Sequence, residues 1–174
     1  MVRAIAVTLI LVIAASALTA GAAWRLKPGD ALTVATDHEP ISLWKSVLTP
    51  VIFFACLTVL AGGFVVREAA KSQQLHLEPG AAAYAVFLTA LTGAAVIAGA
   101  LSGLVLWPEI HGLGLLAIPF YALPAWVALT AAEGYVLHLA TGISHGRAVI
   151  LGVALNLILG TGAVIIAAFM VWGT

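Results

Sequence analysis

Long uncharged stretches alternate with short polar segments along the whole chain. Five stretches, residues 4–23, 47–66, 81–107, 113–140 and 148–171, hold one charged side chain between them. A helix needs about 20 residues to cross about 30 Å of hydrocarbon, and each stretch is long enough. Transmembrane β-strands alternate polar and apolar residues over about 10 positions, and these stretches do not. The pattern predicts an all-α fold: one domain, residues 1–174, built as a polytopic bundle of about five transmembrane helices.

Composition supports the membrane class and narrows the functions that fit it. Of the 174 residues, 63% are hydrophobic and 8% are charged, against about 25% charged in a soluble domain. Net charge is zero, so no basic patch predicts nucleic-acid binding. The single cysteine, Cys56, can form neither an internal disulfide nor a cysteine metal cluster. We expect bound membrane lipids and predict no cofactor.

The first stretch has features of a secretory signal peptide, because it follows Arg3 and ends in small residues. Its uncharged length of 20 residues exceeds the roughly 7–15 of a signal peptide's apolar region. We therefore expect a retained helix.

Five crossings place the termini on opposite sides of the membrane. With the N-terminus inside, four basic residues lie inside and three outside, a small excess in the expected direction. Tryptophans prefer the headgroup level, and four of them fall at the outer face in this arrangement. We predict a multi-pass protein of the inner (plasma) membrane with a cytoplasmic N-terminus. The inner basic residues are Arg3, Arg67, Lys71 and Arg147, the outer ones Arg25, Lys27 and Lys45, and the tryptophans Trp24, Trp44, Trp107 and Trp172.

Small residues recur at a spacing of four in the third and fifth stretches, which permits close packing between lipid-embedded helices. Packing within this chain and docking onto a partner's helices are both open. The fourth stretch contains Pro119 and Pro124, which bend helices and sometimes frame a cavity. The predicted packing residues are Ala95, Gly99 and Gly103 in the third stretch, and Gly152 and Gly160 in the fifth.

Glu133 is the only charged residue inside a predicted span. A carboxylate there is costly unless it is paired, protonated or wet. Three interpretations stay open: an ion pair with Arg67 or Arg147, hydrogen bonds from a partner subunit, and a station on a proton or cation path. Asn156, in the fifth span, is the second polar candidate for such a path.

The outer loops contain imidazole and carboxylate groups, which suit zinc, copper or iron. Their spacing fits no closed metal motif, so a solvated loop is the simpler interpretation. The histidines offer no pair within two spans at one depth, and we predict no haem. No catalytic motif is present, so we predict no catalytic site. The metal candidates are Asp37, His38, Glu39, Glu109 and His111.

A short motif follows the fourth span and consists of Gly142, Ile143, Ser144, Gly146, Arg147 and Ala148. With the residues from Trp126 to the last span, it resembles the end of the penultimate helix, the connecting loop and the last helix of Yip1-like five-helix membrane proteins. Pro119 and Pro124 also resemble a feature of that family, and together the likeness covers about a third of the chain. Unlike those proteins, the first helix here begins at residue four. The resemblance implies a membrane organiser without a catalytic site.

Three functions follow as hypotheses. The first is a non-catalytic subunit that packs within a larger membrane protein complex for energy conversion or transport. The second is a small oligomeric transporter or channel for a proton, cation or small solute that uses Glu133. The third is a metal-binding or redox membrane protein that uses the outer loops.

Overall fold

The computed structural model describes residues 1–25, 43–72, 78–107, 116 and 118–157. Within these residues the chain is helical with no strands, as the hydropathy pattern predicts. Four helices are long and apolar enough to cross a membrane, and a fifth is described for 13 residues. The helices are α1 (Val2–Arg25), α2 (Leu43–Ser72), α3 (Pro79–Leu106), α4 (Leu123–Thr141) and α5 (His145–Leu157).

Helix α3 is the centre of the bundle. It packs against α1, α2 and α4, and 56% of its most apolar window is buried, against 17% for α1 and for α2. Large apolar side chains on the outer helices are left uncovered, among them Ile10, Leu60 and Phe64. A water-soluble protein rarely exposes so much contiguous apolar surface. In a bilayer these side chains face lipid, so the chain is a multi-pass membrane protein.

Helices α1 and α3 run parallel, joined by hydroxyl groups at two levels. Thr8 Oγ1 lies 3.0 Å from Thr92 Oγ1, and Thr19 Oγ1 lies 2.9 Å from Ser102 Oγ. Residue numbers rise together along both helices, which defines the parallel direction. Interhelical hydrogen bonds of this kind contribute about 0.6 kcal/mol each to membrane bundles.

Helices α2 and α4 run antiparallel to α3. Gly62 of α2 faces Val86 of α3. Near the other end of α3, the Tyr121 hydroxyl, just before α4, donates a hydrogen bond to the Ala100 carbonyl. The N-terminus of α1 therefore lies at the same end of the bundle as the C-termini of α2 and α4. The Met1 amino group confirms this placement by donating to the Leu139 carbonyl at 3.4 Å.

The two prolines of the fourth span lie where α4 begins rather than in its middle. Pro119 belongs to a π-helical turn, Ile118–Ala122, and Pro124 is near the first residue of α4. Pro119 lies in the first turn of this helical segment, where a proline removes no intrahelical hydrogen bond. Pro124 follows the π-helical turn directly, and the rest of α4, which contains Glu133, has no proline.

A tight turn joins α4 to α5. Gly142 adopts a left-handed conformation (φ 76°) and its N–H donates to the His138 carbonyl at 2.9 Å, an ending for which glycine is favoured. The His138 Nδ1 lies 2.6 Å from the Ile143 carbonyl, so this nitrogen is the protonated donor. Ile143 is fully buried. The turn reverses the chain and directs α5 back along α4.

Candidate functional site

Two glycines bring the backbones of α4 and α5 into contact. A Cβ atom on Gly134 would lie 2.9 Å from Val149 Cα, and one on Gly152 would lie 3.0 Å from the Thr130 carbonyl oxygen. Any larger residue at either position would push the helices apart. Small residues permit this kind of approach between membrane helices.

This close approach sets Asn156 opposite Glu133. Asn156 is one helical turn beyond Gly152, and Glu133 directly precedes Gly134. Asn156 Nδ2 donates to Glu133 Oε2 at 2.6 Å and to the Gly152 carbonyl at 3.0 Å. A carbonyl can only accept, so this second bond fixes which amide atom is nitrogen. The amide group therefore donates to the carboxyl group rather than accepting from it.

Glu133 is enclosed by four helices. Its exposed fraction is 0% and that of Asn156 is 4%. A Cβ atom on Gly93 of α3 would collide with Glu133 Oε1 and would lie 2.7 Å from Cε1 of Phe54 in α2. The carboxyl group therefore occupies the space that the missing side chain of Gly93 leaves, beside the Phe54 ring.

Two oxygen atoms of this site have no hydrogen-bond partner among the residues that the structure describes. They are the buried atoms Glu133 Oε1 and Asn156 Oδ1. Buried polar atoms are nearly always paired, and an exception calls for an explanation such as a catalytic role or a bound ion or water. A site with two unsatisfied acceptors can take a proton, a water molecule or a cation.

The ion-pair interpretation of Glu133 is wrong. Arg67 and Arg147 are exposed at the end of the bundle, and the salt bridge found within the described residues joins Lys71 to Glu68 at 2.7 Å. The sequence gives the depth of Glu133 along its helix. Which residues its side chain contacts depends on how that helix is rotated about its axis.

A small cavity adjoins Glu133 between α2, α3, α4 and α5. Its volume is about 10 Å³, roughly the space that one water molecule needs. The walls are apolar apart from Glu133 and two threonines, Thr58 and Thr89. Each threonine hydroxyl donates to a carbonyl of its own helix at 2.9 Å.

Comparisons with protein-family models, with curated proteins and with solved structures give no match to this chain. The resemblance to Yip1-like proteins stays a prediction. The assignment of function rests on the chemistry of the Glu133 site.

The other residues predicted from the sequence lie away from the Glu133 site or outside the described residues. In α3, Ala95 is buried, Gly99 lies beside Leu18 of α1, and Gly103 lies beside the Tyr121 ring. Gly160 and the metal candidates Asp37, His38, Glu39, Glu109 and His111 lie outside the described residues. In the part of the chain that the structure describes, no three metal-ligating side chains come together.

Sequence reasoning missed the residues that enclose Glu133. Phe54, Thr58, Gly62 and Gly93 come from two other helices and belong to no motif. Gly93 falls outside the row of Ala95, Gly99 and Gly103 that the spacing of four selects in this span. A further glycine in the same helix does not specify which side chain fills the gap.

Two histidines and a tyrosine gather at the turn between α4 and α5. The His138 and His145 rings are 5.5 Å apart and nearly perpendicular, and Tyr135 lies 6.2 Å from His145. This cluster lies at the bundle end that carries the α1 N-terminus, about one helical turn beyond Glu133. Titratable groups thus lie between Glu133 and that end.

Proposed function

We propose that this protein is a small membrane transporter that carries protons, with Glu133 as the proton-binding group and Asn156 as the residue that orients it. The observation that carries the proposal is a fully buried carboxyl group whose Oε1 has no partner within the described ranges of the chain. An ionised carboxylate without a nearby cation is costly inside a membrane. Intramembrane carboxyl groups of this kind mark ion pathways and proton relays.

A proton fits this site better than a metal cation does. Ca²⁺ takes six to eight oxygen ligands, and Mg²⁺ requires a near-ideal octahedral set. Within the described residues the site offers the Glu133 carboxyl group, the Asn156 amide oxygen and two threonine hydroxyls already engaged with their own helices. A proton needs one oxygen atom, and Glu133 Oε1 supplies it.

Replacing Glu133 tests the proposal. We expect Glu133→Gln to abolish proton flux into proteoliposomes, measured with an enclosed pH-sensitive dye, because glutamine keeps the shape but cannot carry a proton. Glu68→Gln is the matched control, since it makes the same chemical change at an exposed salt bridge. Unchanged flux in Glu133→Gln, with flux present in the parent protein, would exclude Glu133 as the carrier.

A second candidate function is a non-catalytic subunit of a larger membrane complex. An open groove of about 490 Å³ runs between α2 and α3, with walls that are almost wholly apolar. A helix of another subunit fits such a groove, as lipid chains do. Purification in mild detergent separates the two: co-purifying subunits in fixed ratio support a complex, and a monodisperse monomer contradicts it.

We also propose that the N-terminus faces the cytoplasm of a cell whose plasma membrane holds the protein. Arg3, Arg67, Lys71 and Arg147 support this orientation, because their helices place them at one end of the bundle. Basic residues concentrate on the cytoplasmic side of membrane proteins. The metal-binding hypothesis gains no support, since its candidate residues lie outside the described ranges.

A further inference from the structure

The turn between α4 and α5 brings together two histidines from different helices. His138 lies in the last turn of α4, and His145 is the first residue of α5. Their ring centres are 5.5 Å apart, and the ring planes are nearly perpendicular, at 84°. A continuous helix would separate two residues at this spacing by about 10 Å along its axis, so the reversal of the chain is what makes them neighbours.

Hydrogen bonds hold the backbone that carries the two rings. The Ile143 N–H donates to the Thr141 hydroxyl at 3.2 Å, and the Ile143 side chain is fully buried. The Ala148 N–H donates to the Ser144 carbonyl at 2.9 Å and so closes the first turn of α5 around His145. The two rings are therefore held near each other before any ligand binds.

The His138 ring has the hydrogen bond that is typical of a metal ligand. Its Nδ1–H donates to the Ile143 carbonyl at 2.6 Å, so Nε2 carries the lone pair. Histidines that bind metals almost always donate their other ring N–H to a carbonyl, a carboxylate or water, which fixes the tautomer and the orientation of the ring. The structure therefore presents His138 as a ligand through Nε2.

The distance between the two rings suits a shared tetrahedral ion. A zinc ion lies about 2.0–2.1 Å from an imidazole nitrogen, so two rings bound to one tetrahedral zinc ion have centres roughly 5–5.5 Å apart. A separation of 5.5 Å also suits an aromatic edge-to-face contact. That contact requires no particular tautomer, so the fixed tautomer of His138 favours the metal interpretation over packing alone.

The two rings lie where ions in water reach them. His145 is exposed and His138 is partly buried, at the bundle end that carries the α1 N-terminus. Imidazole suits zinc, copper and nickel, whereas Ca²⁺ and Mg²⁺ take oxygen ligands. Among the described residues, no third histidine, cysteine or carboxylate joins the pair. Water can complete the four ligands of a zinc ion.

We propose that His138 and His145 form a binding site for a divalent transition-metal ion, of which zinc fits the ring separation best. The bound ion joins the end of α4 to the start of α5. Tyr135 packs edge-on against the His145 ring at 6.2 Å and restricts its rotation. The site goes beyond the proposed function, because it needs no proton on Glu133.

The test uses a chain in which His138 and His145 are the only histidines. The other three are replaced by His38→Gln, His76→Gln and His111→Gln, and the protein is purified without a histidine tag. Titration calorimetry in detergent measures zinc binding, and ¹⁵N NMR follows the two imidazole rings. We expect one zinc ion per chain, with shifted signals from His138 Nε2 and from one nitrogen of His145, while His138 Nδ1 keeps its proton.

Single substitutions in this background show whether the two rings act together. We expect His138→Gln and His145→Gln each to weaken zinc binding by at least about tenfold. Glu68→Gln is the control, because it removes an exposed carboxylate at the same end of the bundle, and we expect it to leave the affinity unchanged. His145 is exposed, so His145→Gln alone decides if circular dichroism shows that His138→Gln does not fold.

Three results would overturn the site: no zinc binding in the chain with two histidines, a shift of one ring only, or equal zinc affinity in His145→Gln and Glu68→Gln. Each would mean that the rings pack against each other without sharing an ion. None of them bears on proton flux, so the proposed role of Glu133 would stand. Loss of that role, in turn, would leave zinc binding at the turn unchanged.

Discussion

The hydrogen bond from Asn156 to Glu133 joins α5 to α4 at 2.6 Å. Removing one partner of a buried pair leaves the other unsatisfied, which costs more than the pair contributes. We expect Asn156→Leu to lower the free energy of unfolding in detergent by about 1–3 kcal/mol, because Glu133 Oε2 loses its donor.

The double variant Asn156→Leu/Glu133→Leu tests whether the two side chains are energetically coupled. Replacing both partners by apolar groups of similar size removes the unsatisfied atoms, so we expect the double variant to be more stable than Asn156→Leu alone. Detergent unfolding followed by circular dichroism gives the four free energies of the cycle. Additive losses would show that the two side chains are not coupled.

The sequence singles out both members of this pair but does not predict the hydrogen bond between them. Glu133 stands out as the only charge in a span, and Asn156 as an amide in another. Their contact depends on the rotation of two helices about their axes, which Gly134 and Gly152 set through backbone contact. Hydropathy contains no information about that rotation. The arginines that the sequence suggests as partners are instead exposed at the end of the bundle.

At the level of helices, the α4–α5 contact leaves no room for added volume at Gly134, because the neighbouring atoms belong to the α5 backbone. We expect Gly134→Ala to lower the free energy of unfolding by about 1–3 kcal/mol, as overpacking does in well-packed interiors. Its methyl group would lie 2.9 Å from Val149 Cα, which is backbone and cannot rotate away. Thermal unfolding in detergent measures the loss.

Gly146→Ala is the control for this prediction. It places the same methyl group near the start of α5, where nothing lies within 4 Å, and we expect a change within about 0.5 kcal/mol. Equal effects of the two substitutions would mean that the α4–α5 contact does not determine the change in stability. Reduced proton flux in Gly134→Ala alone would show that the contact also positions Asn156.

For the molecule as a whole, the direction of each helix predicts which side of the membrane each helix end faces. Lys71 and Trp107 are exposed near opposite ends of α3. In a Cys56→Ala background, we expect Lys71→Cys to react with a membrane-impermeant maleimide only from the cytoplasmic side, and Trp107→Cys only from the other. The reverse pattern would invert the proposed orientation, and labelling of both from one side would contradict a membrane-spanning α3.

Helix number and apolar character were predictable because each span must satisfy its own backbone hydrogen bonds and needs a fixed length of apolar residues. The predicted third span, residues 81–107, corresponds closely to α3, Pro79–Leu106. The predicted fourth span, residues 113–140, begins outside the described residues, and within it the π-helical turn at Ile118–Ala122 precedes the α-helical part. Hydropathy measures how apolar a segment is and does not distinguish a π-helical turn from an α-helical one.

Cys56 is the single cysteine of the chain, and its free thiol is exposed in the α2–α3 groove. A nitroxide spin label attached there would sample whatever fills the groove, without any engineered background. Molecular oxygen dissolves in acyl chains, so it would relax the label strongly in a groove open to the bilayer. A neighbouring polypeptide would shield the label and restrict its tumbling, so the native thiol can distinguish a solitary carrier from an assembled one.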